Sequence, residues 1–256
     1  MKIMRPEKAK DVHLNMLFYS VTGAGKTKLL GTANKCEATK PILIIDIDGG
    51  MITLAGKKVD IVRPTSFVEI QEIYEYLRHD NTKYRSVGVD SITELQGKLS
   101  MGEIMGDLDE EAEYKEIGKA VPPTRQDWLR SAEQIRRFLR AFKDLAVLKD
   151  KSRRLHVFIT ALEKTDETAN LTCPQLPGVL ALGCGAFMDV LARLTVRERE
   201  RNDRVRDYRY LQTVAKADDE GVRVLAKNRG GRLGNGIWRP TIDKLVSAWT
   251  GDEGGA

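Results

Sequence analysis

Eight residues limit the folds open to this chain more than any others: Ser20-Val21-Thr22-Gly23-Ala24-Gly25-Lys26-Thr27. They follow an apolar run, Leu14 to Tyr19, and open a stretch with helical patterning, Lys26 to Ala33. A short apolar strand that passes through a glycine-bearing turn into a helix begins an α/β unit whose strand is covered on both faces. Apart from its first residue, the octet fits the pattern G-x-x-x-x-G-K-[ST]. Gly23 and Gly25 let the backbone turn so that successive N–H groups face an anion at the positive end of the helix. Such a loop cradles phosphates. Lys26 is placed to reach the β- and γ-phosphates of ATP, and the Thr27 hydroxyl to bind Mg²⁺. Ser20 stands where the pattern has glycine. If that position needs a positive φ, Ser20 bears strain on the order of 1 kcal/mol.

Further apolar runs alternate with helical patterns along the chain. Strands are predicted at Ile42 to Ile47, Val59 to Val62, Ser86 to Val89 and His156 to Thr160, with helices at Phe67 to Leu77, Ser91 to Met105 and Thr124 to Leu148. This order predicts an α/β fold with a mostly parallel central sheet and helices on both faces. In the last helix Trp128, Ile135, Phe138, Leu139, Phe142 and Leu145 recur at helical spacing, and Arg130, Arg136, Arg137, Arg140 and Lys143 form a basic, solvated face. Asp189 to Arg197, Tyr208 to Val214 and Val222 to Ala226 read as a C-terminal antiparallel extension, about 187–240. Asp107 to Glu116 holds six acidic residues in ten and, with Pro122-Pro123, reads as an exposed insertion at about 106–124. The whole of 1–256 is expected to be one domain, with Asp252 to Ala256 frayed.

Two strand ends carry carboxylates. Asp90 closes Ser86-Val87-Gly88-Val89 and suits the acid that holds a magnesium-bound water beside the phosphate loop. Ser91 with Glu94 also reads as a helix N-cap and capping box. No glutamate follows Asp90, so the group that positions the attacking water is sought at another strand end. Ile45-Asp46-Ile47-Asp48-Gly49-Gly50 offers Asp46 and Asp48 on one side of an extended segment, and Asp48 is the better placed. Glu163 is a rival, and Thr160, ending the strand His156 to Thr160, is placed to sense the γ-phosphate or to serve structurally.

Composition excludes several classes. No apolar run approaches the roughly 18 residues needed to span a bilayer, and the first residues lack a signal-peptide pattern. Three scattered cysteines, Cys36, Cys173 and Cys184, and three histidines without metal-ligand spacing argue against a disulfide framework or a zinc site, and fit a reducing, cytoplasmic setting. A net charge of +5 permits contact with nucleic acid.

The order of these motifs resembles the RecA-like P-loop ATPases, and most of all the phage-encoded members associated with single-strand annealing and recombination. The resemblance implies a RecA-like P-loop NTPase core over roughly Leu14 to Arg239, with ATP and Mg²⁺ as ligands. Those enzymes carry a catalytic Glu as Asp-x-Glu after the phosphate-loop helix; Asp46-Ile47-Asp48 is similar but one methylene shorter. Asp90-Ser91 matches the ending of their second motif. Ala226-Lys227-Asn228-Arg229-Gly230-Gly231 resembles a Lys-x-Arg segment whose cations reach the γ-phosphate held by a neighbouring subunit, which implies a homo-oligomeric ring or filament with Lys227 and Arg229 as catalytic groups in trans. By the same resemblance the partner is single-stranded DNA, touched by a loop over Glu163 to Phe187.

On charge alone a better DNA candidate is the run Arg193, Arg197, Arg199, Arg201, Arg204, Arg206 and Arg209, although Glu198, Glu200, Asp203 and Asp207 interleave it. Tyr208 and Tyr210 suit either base stacking or packing on the sheet. The function implied is a DNA-stimulated ATPase of phage or bacterial recombination or replication. The alternatives are a nucleotide-gated binding module with little hydrolysis and a P-loop small-molecule kinase.

Overall fold

The computed structural model describes residues 7–8, 11–106, 122–201 and 204–251. At its centre is β1 (Asn15–Ser20), buried along its whole length. Parallel partners flank it on both sides, β5 (His156–Asp166) and β7 (Val190–Arg201). Outside β5 follow β4 (Ser86–Asp90), β2 (Ile42–Asp46) and β3 (Asp60–Val62), all parallel. Outside β7, β8 (Arg204–Gln212) and β11 (Gly236–Trp238) run antiparallel, giving the order β11-β8-β7-β1-β5-β4-β2-β3. Three short strands complete the set: β6 (Leu171–Pro174) against the end of β5, β9 (Arg223–Val224) beside β6, and β10 (Lys227–Asn228) against the start of β7. This is the α/β, mostly parallel arrangement that the motif order predicts.

Period-two alternation explains the burial of β1. Leu17 and Tyr19 enter one core, with Val87, Val89, Ile135 and Phe142, while Met16 and Phe18 enter the other, with Leu29, Leu30, Ile44 and Trp249. The helices are α1 (Lys26–Leu30), α2 (Phe67–Glu75), α3 (Ile92–Glu94), α4 (Met101–Ile104), α5 (Arg125–Leu145), α6 (Leu180–Gly183) and α7 (Ile242–Thr250). α2, α3, α5 and α6 cover the first face; α1 and α7 cover the second. α5 starts at a capping box, with the Thr124 side chain accepting from Asp127 N–H and the Asp127 carboxylate accepting from Thr124 N–H. Its apolar stripe is buried as predicted, except that Trp128, in the first turn, is 43% exposed. On its basic face Arg136 and Arg137 both pair with Glu133, the solvated surface expected of such a run. No helix among the described residues is long and apolar enough to cross a membrane.

Several predicted boundaries change. The predicted first helix shortens to α1 and continues as a 3-10 turn (Gly31–Lys35), and the stretch after Ser91 is broken by a π-type turn (Leu95–Ser100) between α3 and α4. The β extension is not purely antiparallel. Apolar Val190, Leu191 and Ala192 are buried on both faces and place β7 in the parallel sheet, and the polar remainder forms a hairpin with β8. β9 pairs parallel with β6. The segment Glu163 to Phe187 contains the end of β5, β6 and α6, where a DNA-touching loop was expected. Nearly all of the acidic insertion and the tail Asp252 to Ala256 lie outside the described residues.

A buried ion-pair cluster ties the extension to the sheet. Arg193 of β7 grips Glu163 of β5 through two bonds of 3.0 Å and reaches Asp218 at 2.7 Å. The side chains are 13%, 10% and 13% exposed, so Arg193 is no part of a solvent-facing basic run. Arg193→Leu strands two buried carboxylates with no cation between them. The expected cost is about 3–5 kcal/mol, read as a drop in the urea midpoint at unchanged slope; a shift within error of wild type would contradict it.

Candidate phosphate-binding site

The parallel register brings the carboxyl ends of β1, β2, β4 and β5 to one edge of the sheet, and the candidate residues collect there. Gly23 and Gly25 both take left-handed backbone, φ 82° and 103°, so a side chain at either would be strained. Ser20 does not. It is the last residue of β1, buried and extended, and the strain considered for a non-glycine residue there does not arise. Its hydroxyl accepts from Lys26 Nζ at 3.2 Å, and that ammonium also donates to the carbonyls of Ser20 and Val21, at 3.2 and 3.1 Å. Lys26 therefore lies folded along the loop. Burial holds its pKa below the usual lysine value, against the pull of Asp90, Asp48 and Glu163.

Thr27 Oγ1 donates to Asp90 Oδ2 at 2.5 Å. The other Asp90 oxygen accepts from Thr160, whose hydroxyl is thereby turned to Asp90 and does not line the cavity. Asp90 is 2% exposed. Burial pushes its carboxyl above the ordinary range, Thr160, Thr27 and Lys26 pull it back, and Asp48 adds repulsion. A buried carboxylate short of positive charge, in contact with a hydroxyl, fits Mg²⁺. That ion takes one or two protein ligands and completes its shell with water and phosphate oxygens. Among the described residues no cluster of three or more His, Cys, Asp or Glu is present, and a magnesium held in this way needs none.

Asp48 lies past the end of β2, so the alternation does not carry through to it. Asp46 is buried and bound to Arg63 Nε at 2.7 Å and Gly49 N–H at 2.8 Å, while Asp48 is exposed to the cavity. Asp48 Oδ1 accepts from both Ser91 N–H and Ser91 Oγ, each at 2.9 Å. This half-breaks the capping box. Ser91 Oγ still accepts from Glu94 N–H, but Ser91 N–H is taken, and the Glu94 carboxylate is left to line the cavity. Glu163, held by Arg193, is no candidate base. Thr22, Gly23, Gly25, Lys26, Thr27, Asp48 and Asp90 surround a cavity of about 860 Å³, and Arg209 of β8 is also in its wall. The Arg209 Nε donates to the Ala24 carbonyl at 2.7 Å.

Lys227 and Arg229 lie elsewhere. β10 pairs at the start of β7, Lys227 opposite Leu191, whereas the phosphate loop leaves the far end of β1. Lys227 Nζ is spent on the carbonyls of Gly185 and Met188, both at 2.7 Å, and Arg229 is paired with Asp189 at 3.3 Å but 55% exposed. The extended segment ends at Asn228, before Arg229, so the two do not share one strand face. The hairpin aromatics pack within the fold. Tyr210 lies against Trp238 and Arg197, at 4.8 and 4.5 Å, and Arg239 sits 5.6 Å from the Tyr208 ring. Arg199, Arg201 and Arg204 lie outside the described side chains, and Arg206 is exposed.

The family model described as AAA domain matches residues 13–229. No curated protein is similar enough to count as a match. Similar solved structures include the RadB recombinase, at 12% identity and TM-score 0.40 over 78% of this chain and 80% of that one. The flagellar accessory protein FlaH from Methanocaldococcus jannaschii gives 8% and 0.37 over 78% of each. A prototypical ATPase from the type III secretion system of pathogenic bacteria gives 14% and 0.40 over 72% of this chain and 52% of that one.

The Asp90 environment sets a pH dependence. Its folded pKa is raised, so its stabilising contribution is complete below the unfolded value of about 3.9 and is lost as pH rises through the folded value. Above that unfolded value, keeping the group buried costs the nucleotide-free fold stability. Asp90→Asn keeps partners for both threonine hydroxyls and is expected to melt higher than wild type at pH 7, with the gap closing toward about pH 4. Added Mg²⁺-ATP should raise the wild-type melting temperature well above the small rise in the variant. A variant less stable than wild type at pH 7 would count against this account of the carboxylate.

Proposed function

The chain belongs to the AAA domain family, and from that premise we propose that it binds ATP with Mg²⁺ and hydrolyses it. One observation carries this reading: the Thr27 hydroxyl and the buried Asp90 carboxylate meet directly beneath a glycine loop that opens on a cavity large enough for a nucleotide. Backbone N–H groups from Val21 to Thr27 hold the phosphates, and Lys26 swings from its loop carbonyls to the β- and γ-oxygens. Thr27 and Asp90 would hold Mg²⁺, which would supply positive charge against the β- and γ-phosphates. Asp48, anchored by Ser91 and open to the cavity, orients water for attack on the γ-phosphorus and accepts its proton, while the bond from that phosphorus to the β-phosphate oxygen breaks and ADP leaves.

In this proposal the protein acts on single-stranded DNA, in recombination or replication of a phage or bacterium, and works as a homo-oligomeric ring or filament. Support for DNA comes from the motif resemblance, the net charge of +5 and the exposed Arg206 on the hairpin. Of the Lys227–Arg229 pair, only Arg229 has an exposed guanidinium to offer a neighbour. A second reading, a nucleotide-gated module with slow turnover, is favoured by Asp48 alone. It is a short side chain, and Ser91 occupies one of its two carboxylate oxygens.

Turnover measured against protein concentration, with and without single-stranded DNA, tests the proposal. The rate per subunit should rise with both, and a rate indifferent to both would overturn the DNA and oligomer parts. Lys26→Ala should abolish nucleotide binding. Asp48→Asn should cost about 10²–10⁴-fold in kcat, and Asp48→Glu should raise kcat if reach is limiting. The larger loss appearing in Glu94→Gln would assign the water to Glu94 in place of Asp48.

A further inference from the structure

Among the hairpin arginines whose side chains are described, Arg209 alone crosses to the phosphate loop. It pairs in register with Val196, on the face where Leu194 and Leu211 pack toward α1, and it lies two residues from Leu211 along that face. Its guanidinium rests on the bare Cα of Gly25: a Cβ there would stand 2.3 Å from Arg209 Nε. Gly25 is thus required twice, for its φ of 103° and for this approach. Nε is anchored on the Ala24 carbonyl, and among the described residues no carboxylate pairs with the group. A guanidinium held by Nε alone keeps its two Nη groups for a planar, bidentate acceptor.

Its position between two cavities indicates which acceptor. Beside the phosphate cavity lies a second of about 500 Å³, between α1 and the chain around Arg239. The two share Gly25, Lys28 and Arg209 in their walls. Asp48 and Asp90 line only the first; Arg239, Pro240 and Lys244 line only the second. The second is electropositive, with Lys28, Arg209, Arg239 and Lys244 against the single carboxylate Asp207. Arg239 holds a left-handed φ of 49°, rare for a side-chain-bearing residue, and its N–H donates to the Arg209 carbonyl at 2.7 Å. A nucleotide whose γ-phosphate lies at Asp48 and Asp90, and whose nucleoside occupies the second cavity, places its α- and β-phosphates at the waist between them.

We propose that Arg209 is a phosphate ligand in cis, gripping the α- and β-phosphates of the bound nucleotide from the β7–β8 hairpin. The inference rests on the nucleotide-binding reading above and adds to it a cation from the same chain, held in place before any neighbour arrives. Binding of ADP and of ATP is measured for wild type, Arg209→Ala and Arg209→Gln. The glutamine variant keeps a donor for the Ala24 carbonyl, so the loop stays held while the fork is lost. Both variants should bind ADP and ATP more weakly by the same factor, about 10- to 100-fold, as for losing charged hydrogen bonds. Unchanged ADP affinity, or a loss confined to ATP, would overturn the inference. If Arg209→Ala does not melt as wild type does, Arg209→Gln decides. Wild type binding neither nucleotide would instead sink the nucleotide reading itself, whereas wild type binding both, with Lys26→Ala binding neither and Arg209→Gln unaffected, would sink only the role of Arg209.

Discussion

The Asp90 carboxylate, buried between the hydroxyls of Thr27 and Thr160, is the contact on which the rest of the site depends. It joins the first turn of α1 to β4 and β5, three elements brought together only by the sheet. Its backbone carbonyl extends the tie, accepting from the N–H groups of Ile47 and Asp48 as β2 ends. Ser91, one residue on, fixes the Asp48 carboxylate through two donors. Residues 90 and 91 therefore set the position of both candidate carboxylates. The cost is electrostatic: a charge taken out of water is compensated by two hydroxyls and, more distantly, by Lys26. A scaffold that keeps such a charge buried is less stable than it need be, which is the usual state of a site built to receive a cation.

The parts legible in the sequence were those encoded locally. A buried parallel strand appears as a run of apolar residues whatever its partners, so the centres of β1, β2, β4 and β5 could be read directly. The phosphate loop was legible for the same reason, since glycine spacing, lysine and threonine lie within one turn. Even the departure at Ser20 resolves locally, because the residue completes a strand and takes no part in the left-handed turn. The place of Asp90 at the end of β4 was legible because it closes an apolar run.

What could not be read depends on contacts between distant segments. Glu94 looked like half of a capping box, and only the arrival of Asp48 at Ser91 N–H, 43 residues away in sequence, leaves it facing the cavity. Lys227 and Arg229 look like an i, i+2 pair until β10 ends after two residues and the carbonyls of Gly185 and Met188 capture the ammonium. Asp189 to Arg197 reads as a strand of an antiparallel extension. The first three residues of β7 are apolar enough to enter the parallel sheet, and a short run of that kind does not reveal whether its partner is parallel or antiparallel.

The arginine run shows why composition alone could not assign the hairpin. In sequence its members are equivalent cations among carboxylates. In the sheet, alternation and register give each a different environment. Arg193 stands opposite Gln212 and turns to Glu163 and Asp218, buried with them. Arg197, on the same face, lies on the Tyr210 ring. Arg209 faces the other way, the side of Leu211, and its Nε meets the Ala24 carbonyl of the phosphate loop. A shift of one residue in the pairing of β7 with β8 would exchange the faces, bury Arg209 with the carboxylates and leave the loop without a cation. The register, held by the apolar pair Leu194 and Leu211 in the core, is therefore what separates an arginine that stabilises the fold from one positioned to bind a nucleotide.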